Sequence, residues 1–307
     1  MPSLDEMLKS TPYVAYTYSY PHKTTYRTFP EPLPLSKIWA NEQREDLSLY
    51  IHVPFCEMRC GFCNLFTTAN PTESQSNDYM KSLRKQAERT REALETFTVT
   101  RLAIGGGTPT YLSVTELAEL FEIGKQFFEI TPASIPTSVE TSPMTAQTEK
   151  LALLKEHGVD RISIGVQSFL EAEARAAGRP QKTSVVAQAL ENIRRLDFPT
   201  LNIDLIYGLP GQSLESWRES LEMALNYQPE ELYLYPLYIR PLTGLGRKNR
   251  PGFQKEDPRL QYYRAGRDLL LSAGYTQISM RMFRANCMQK QSGPVYCTQD
   301  DGMLGLG

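Results

Sequence analysis

From residue 47 onward the chain alternates short apolar runs with helix-patterned segments, and no other feature constrains its fold as strongly. The apolar runs are LSLYIHVPF, TRLAIGGG, IPTSVETS, RISIGVQS, LNIDLIYGL and ELYLYPLYI. Between them stand YMKSLRKQAERTREALETF, VTELAELFEIGKQFF, TEKLALLKEHG, SVVAQALENIRRL and SLESWRESLEMAL. Strands alternating with such helices predict parallel β/α units. A further helix is predicted near DPRLQYYRAGRDLLLSAG and a seventh strand over YTQISMRMF. An open sheet and a barrel both accommodate this order. Polar or glycine residues recur at the ends of successive strands: Cys56, Gly105 to Thr108, Glu140, Gln167 and Asp204. Their convergence on one face favours a complete or partial barrel, whose site lies at the carboxyl ends of the strands.

The flanks read differently. Residues 1–46 are rich in Tyr and Pro, and the prolines deny them regular helix or an inner strand, so an extension that wraps the surface or covers a site is expected. The core domain is expected over 47–284, with 285–307 as the start of a truncated C-terminal region. The last residues, CTQDDGMLGLG, make a poor natural terminus without a closing helix, so the protein is expected to continue.

Composition narrows the function. With 307 residues, 41% of them hydrophobic, the chain suffices for one large core plus an appendage. A net charge of −2 argues against a general polyanion binder, so no nucleic-acid partner is expected. No apolar stretch approaches the roughly 20 residues needed to span a bilayer, and MPSLDEMLKS lacks a signal peptide's apolar core. The expected setting is the cytoplasm, away from membranes, where thiols stay reduced. Five cysteines fit poorly with a disulfide framework, so clustered thiols point to metal or catalysis.

Three of those cysteines, Cys56, Cys60 and Cys63, are spaced C-x3-C-x2-C directly after an apolar run. Structural zinc takes four ligands, usually from two paired knuckles. Here the second knuckle would have to come from Cys287 and Cys297, distant in sequence and separated by nine residues. A [4Fe–4S] cluster held by three thiolates leaves one iron open for a small molecule. A zinc or redox cysteine cluster remains the alternative. Cys287 and Cys297 read as ordinary reduced thiols.

Other candidates follow the strands. Gly105 to Thr110, GGGTPT, lets a ligand press against bare backbone or simply turns the chain; it has neither the G-x-G-x-x-G spacing nor the Lys of a P-loop. Glu140 and Asp204 are acids at apolar strand ends, where burial is costly unless they are paired or ligand-bound. Gln167 and Arg179 bracket the next turn, and His52 lies four residues before Cys56. For each, a satisfied structural side chain is the competing reading.

Together these residues resemble the radical S-adenosylmethionine (SAM) superfamily, which C-x3-C-x2-C defines. The resemblance is closer to one branch, that of oxygen-independent coproporphyrinogen III oxidase. The shared features are Tyr50, His52, Pro54, Phe55 and Cys56 in Y-x-H-x-P-F-C, then GGGTPT, Glu140 with Pro143, RISIGVQSF and DLIYGLPGQ, in family order. The resemblance implies a partial (β/α)6 TIM-like barrel, with a [4Fe–4S] cluster on Cys56, Cys60 and Cys63 and its open iron chelated by SAM, in one copy or two. It implies Tyr50 beside the sulfonium and Gly106, Gly107 and Thr108 at the amino end. Glu140, Gln167 and Arg179 would hold amino-acid and ribose groups, with Asp204 near the ribose or adenine. Tyr50 and His52 are the candidate catalytic groups. One-electron reduction, from a donor such as flavodoxin or ferredoxin, would cleave SAM to a 5′-deoxyadenosyl radical that abstracts a hydrogen from a small-molecule substrate, a tetrapyrrole among the candidates.

Three departures qualify the substrate. The oxidase motif carries a fourth cysteine two residues after the third, where this chain has Leu65. Residues Tyr18 to Arg27, YSYPHKTTYR, look more like haem-utilisation relatives. Family members normally run on into a glycine-rich loop and a C-terminal domain that help bind a second SAM. The competing readings are therefore a two-SAM methyltransferase, a haem-binding chaperone of the same fold, and an inactive truncated fragment.

Overall fold

The structure is a computed structural model that describes Tyr13 and residues 27–248, 257–288 and 302–307. The chain runs through α1 (Leu35–Ile38), β1 (Leu47–Val53), β2 (Phe55–Cys56), β3 (Thr68–Ala69), α2 (Glu73–Leu94), β4 (Val99–Gly106) and α3 (Val114–Phe128). It continues with β5 (Thr137–Thr141), α4 (Thr148–Glu156), β6 (Arg161–Gln167), α5 (Glu171–Ala176), α6 (Thr183–Arg195), β7 (Thr200–Tyr207) and α7 (Leu214–Leu225). Last come β8 (Glu231–Pro236), α8 (Gly244–Lys248), α9 (Arg259–Ser272), β9 (Tyr275–Gln277), β10 (Met282–Ala285) and β11 (Met303–Leu306).

The main sheet has the order β11-β1-β4-β5-β6-β7-β8-β10-β9. Strands β1 and β4 to β8 run parallel in sequence order, which is the expected partial (β/α)6 barrel. The apolar residues of these strands are buried, including Ile51, Val139, Ile162, Ile203 and Leu232, as befits parallel strands flanked by helices. Helix starts follow capping chemistry. Ser113 caps α3 and Thr72 caps α2 through reciprocal hydrogen bonds with Glu116 and Gln75. Because Thr72 supplies that cap, α2 begins earlier than the apolar pattern from Tyr79 indicated. Its polar first turns have no buried face to reveal them.

Two edges differ from expectation. YTQISMRMF forms no seventh parallel strand; it makes an antiparallel hairpin, β9 and β10, on the outer side of β8. The residues between these two short strands turn the chain too soon for a crossover. On the opposite edge, β11 pairs parallel with β1, Ser48 opposite Met303. Most of the 1–46 extension lies outside the described residues, YSYPHKTTY with it, as does Cys297. Tyr13 is described and buried, its hydroxyl 3.2 Å from that of Tyr207.

An ionic triad closes the bottom of the barrel. Buried Glu231 on β8 accepts from Arg161 of β6 at 2.8 Å and from Arg284 of β10 at 2.9 Å. Removing the carboxylate takes the anionic partner from two largely buried guanidiniums, although Arg161 also donates to Ser138 Oγ at 3.0 Å. Glu231→Ala is expected to lower stability by about 3–5 kcal/mol, read as a lower midpoint in denaturant unfolding.

Candidate active site

The site is built on a close approach of backbone at the carboxyl ends of β1 and β4. Gly107 N–H donates to Val53 O and Thr108 N–H to Phe55 O, each at 2.7 Å. A Cβ on Gly107 would lie 2.6 Å from Phe55 O and 2.9 Å from Cys56 Sγ. Gly106 has φ of +114°, and a Cβ there would meet the His52 ring at 2.7 Å. This is the packing that the glycine run of GGGTPT makes available.

The cysteine loop springs from that junction and is pinned at several points. Strands β2 and β3 pair Phe55 with Thr68 and Cys56 with Ala69, clamping the loop's two ends together. At its middle, Gly61 N–H donates to Ala177 O at 3.1 Å and Gly61 O accepts from Leu245 N–H at 2.7 Å. A Cβ on Gly61 would stand 2.6 Å from Ala177 O, so only glycine fits there. Cys56, Cys60 and Cys63 are half-buried and free. All three line a cavity of about 560 Å³.

Two of the thiols have fixed hydrogen-bond donors. Thr108 Oγ1 donates to Cys56 Sγ at 3.6 Å, and Arg179 Nη1 donates to Cys60 Sγ at 3.3 Å. Burial pushes the Cys56 thiol up to about 11, and the neighbouring Glu57, Cys60 and Cys63 add to the rise. Among the described residues no three His, Cys, Asp or Glu side chains are grouped as ligands of a single ion. Three thiols bordering one cavity, two of them with hydrogen-bond donors at the sulfur, fit an iron–sulfur cluster.

Gly106, Gly107, Thr108, Glu140, Gln167, Arg179 and Asp204 all border the same cavity, so the structure brings these expected residues together with the thiols. Gln167 ends β6 with φ of +70°, in the left-handed region that a non-glycine residue occupies at a cost. Its amide crowds Gly165, where a Cβ would lie 2.7 Å from Nε2. Arg179 also donates to Gly165 O at 2.8 Å. Glu140 is open to the cavity but ringed by protein, and its Oε2 accepts from Gly106 N–H at 3.1 Å. Burial first, and then Asp204, push its carboxyl up to about 7. Asp204 accepts from Asn202 at 2.7 Å and from Ser163 at 3.4 Å, yet burial still pushes it up to about 6.

Tyr50 and His52 sit elsewhere. Tyr50 lines a second, inner cavity of about 230 Å³ that shares Glu140, Ser163, Asp204 and Tyr235 with the first. His52 borders neither cavity. Its Nδ1 lies 3.2 Å from the Tyr50 hydroxyl and its Nε2 3.0 Å from Phe66 O, so it steadies Tyr50 from behind. Side chains alternate across a strand, and on β1 residues 50 and 52 share the face that ends at the junction rather than inside the open cavity. Cys287 is exposed and free, away from the site.

Sequence reasoning missed several wall residues. Glu57 accepts from Ser142 Oγ at 2.8 Å, which ties the cysteine loop to the turn after β5. Arg240 and Arg281 also line the cavity. Ser142 stands two residues after Glu140 in SVETSP, a signal that could have been followed; Arg281 comes from the β9–β10 hairpin and left none. Leu65 borders the cavity where the oxidase motif has its fourth cysteine.

These features define a radical SAM protein. The family model of the radical SAM superfamily matches residues 50–224, and the chain belongs to that family, whose cofactors are a [4Fe–4S] cluster and SAM. Within it, the chain falls in the branch of coproporphyrinogen III oxidase (HemN) and the heme chaperone HemW. It is 33% identical over 262 residues to the heme chaperone HemW of Escherichia coli, covering 85% of this chain and 68% of that protein. Identity to the oxygen-independent coproporphyrinogen III oxidase of the same organism is 31% over 227 residues, 72% of this chain and 49% of the oxidase. The solved E. coli HemN structure superposes with a TM-score of 0.75 at 29% identity, covering 86% of this chain and 64% of that one. The chain thus spans about half the length of the oxidase and about two thirds of HemW. No helix among the described residues is long and apolar enough to cross a membrane.

The backbone junction yields a direct test. Gly107→Ala must displace either Phe55 or the Cys56 thiol. Anaerobically reconstituted Gly107→Ala protein is expected to hold much less iron and sulfide per chain than wild type, with its circular dichroism spectrum retained.

Proposed function

We propose that this chain is the catalytic core of a radical SAM oxidoreductase related to oxygen-independent coproporphyrinogen III oxidase. The single observation that carries the reading is one cavity bordered by the three loop thiols and by the carboxyl ends of β4 to β7. Cys56, Cys60 and Cys63 would hold three irons of the cluster, leaving the fourth for SAM. When bound, the two groups supply one-electron chemistry that removes a hydrogen atom from a substrate; the protein contributes binding and orientation. Gly106 and Gly107 offer bare backbone to the amino-acid end of SAM. Glu140, Gln167 and Arg179 would hold its amino-acid and ribose groups, and Asp204 would sit near the ribose or adenine. Tyr50 closes the inner side, held by His52. A tetrapyrrole substrate in a cytoplasmic setting is the reading its relatives favour.

A second reading rests on Leu65. An apolar residue at the cavity wall, where the oxidase motif has cysteine, suits a heme-binding protein of the HemW type. Anaerobic incubation of the reconstituted protein with dithionite and SAM is expected to yield 5′-deoxyadenosine. A fully loaded cluster that yields none would exclude the catalytic reading. Saturable heme binding in an absorbance titration, beside absent oxidase activity, would favour the HemW type.

The raised Glu140 carboxyl predicts a pH dependence. Only the ionised form is a full acceptor, so the proton must leave before SAM binds well. SAM affinity is expected to fall as the pH is lowered from about 8 to about 6, through the value near 7. Glu140→Gln should bind weakly at every pH and lose this dependence, as measured by isothermal titration.

A further inference from the structure

The cysteine loop carries one acid and one base. Residues 56–67, CEMRCGFCNLFT, contain Glu57 and Arg59 and no other Asp, Glu, Lys or Arg. Arg59 is exposed, where water and salt screen it. Glu57 directly follows Cys56 and lines the cavity with it. Its evident role is mechanical, since Oε1 accepts from Ser142 Oγ at 2.8 Å and ties the loop to the turn after β5. That tie does not account for Oε2, which is buried and has no hydrogen-bond partner among the described residues. A buried carboxylate oxygen left in this way costs free energy, and a neutral acceptor would make the same tie.

The hydroxyls behind Ser142 point to an ionised side chain. Ser142 Oγ lies 3.0 Å from Thr145 Oγ1, which lies 2.6 Å from Thr110 Oγ1, itself 2.7 Å from Thr141 Oγ1. All four side chains are buried. Each hydroxyl has one proton to give. Ser142 gives its proton to Glu57, so Thr145 donates to Ser142, Thr110 to Thr145 and Thr141 to Thr110. Donors in series ending on one oxygen strengthen each other and favour an anionic acceptor. The cation on this side, Lys150, is held at Thr110 O, at 2.7 Å, rather than at the carboxylate.

A cluster beside this group would feel two opposing influences. Thr108 and Arg179 donate to the sulfurs of Cys56 and Cys60, which favours an added electron. Glu57 is a negative charge next to Cys56, and its burial limits the screening that water gives. We propose that the Glu57 carboxylate lowers the reduction potential of the cluster held by Cys56, Cys60 and Cys63. The proposal rests on the cluster reading above. A cluster that is harder to reduce is, once reduced, the stronger one-electron donor, so the residue acts through the cluster rather than on a substrate.

The test is an anaerobic redox titration of the reconstituted full chain without SAM, followed by electron paramagnetic resonance. Dithionite is oxidised and each cluster gains one electron. Glu57→Gln keeps an acceptor for Ser142 and removes the charge. Glu57→Asp keeps the charge and, one methylene shorter, gives up the tie. Glu57→Gln is expected to favour the reduced cluster about tenfold or more, a rise of about 60 mV for one electron. The Glu57→Asp midpoint should stay near that of wild type. An unchanged midpoint in Glu57→Gln would overturn the proposal, and so would a shift in Glu57→Asp as large as that in Glu57→Gln, which would assign the effect to the tie. Loss of iron from Glu57→Gln with its circular dichroism retained would make Glu57 a residue for metal loading and overturn it too. A wild-type chain that forms no four-iron cluster would remove the underlying reading and this proposal with it.

Discussion

The site depends on how closely the backbone at the end of β4 lies against the start of the cysteine loop. Gly107 and Thr108 donate to Val53 and Phe55 across a gap that admits no Cβ at Gly107. That contact sets Cys56 at the cavity wall and gives its sulfur a donor in Thr108. The rest of the loop follows, because its ends are clamped by β2 and β3 and its middle is tied to Ala177 and Leu245. A loop of this length without such ties would have no reason to present three thiols to one cavity. These ties offset part of the conformational entropy that ordering such a loop costs.

Charge is sorted by depth. Inside, Glu140 and Asp204 border the same two cavities with their carboxyls raised, each lifted mainly by burial. Below them the Arg161–Glu231–Arg284 triad supplies compensating positive charge without reaching the cavity's outer part. The candidate site residues of this parallel sheet lie at or near the carboxyl ends of its strands.

Much of this was legible in advance, and particular residues show why. Strand–helix alternation exposed β1 and β4 to β8, since each is a continuous apolar run between helices. The thiols were legible from spacing, Glu140, Gln167 and Asp204 as polar residues within or ending apolar strands, and Arg179 from the turn that follows β6. What escaped notice had no periodic or compositional signal. The β9–β10 hairpin reads as one strand because its turn contains no Gly or Pro. The start of α2 was hidden by a polar first turn, and β11 by its glycines.

The sequence by itself determined the kind of chemistry and the layers that carry it, because cysteine spacing and hydrophobic period are local properties of a chain. Only the tertiary structure decided which residues face the cavity. Tyr50 and His52, two residues apart on one strand, end in different surroundings: one lines an inner cavity, the other braces it from behind. Glu57 and Ser142, far apart in sequence, form a single link. The seating of the cysteine loop is likewise invisible along the chain, since Gly61 meets Ala177 and Leu245 only through a close approach of distant backbones. Contacts of that kind depend on close approach between distant segments, and no local pattern encodes a distance in space.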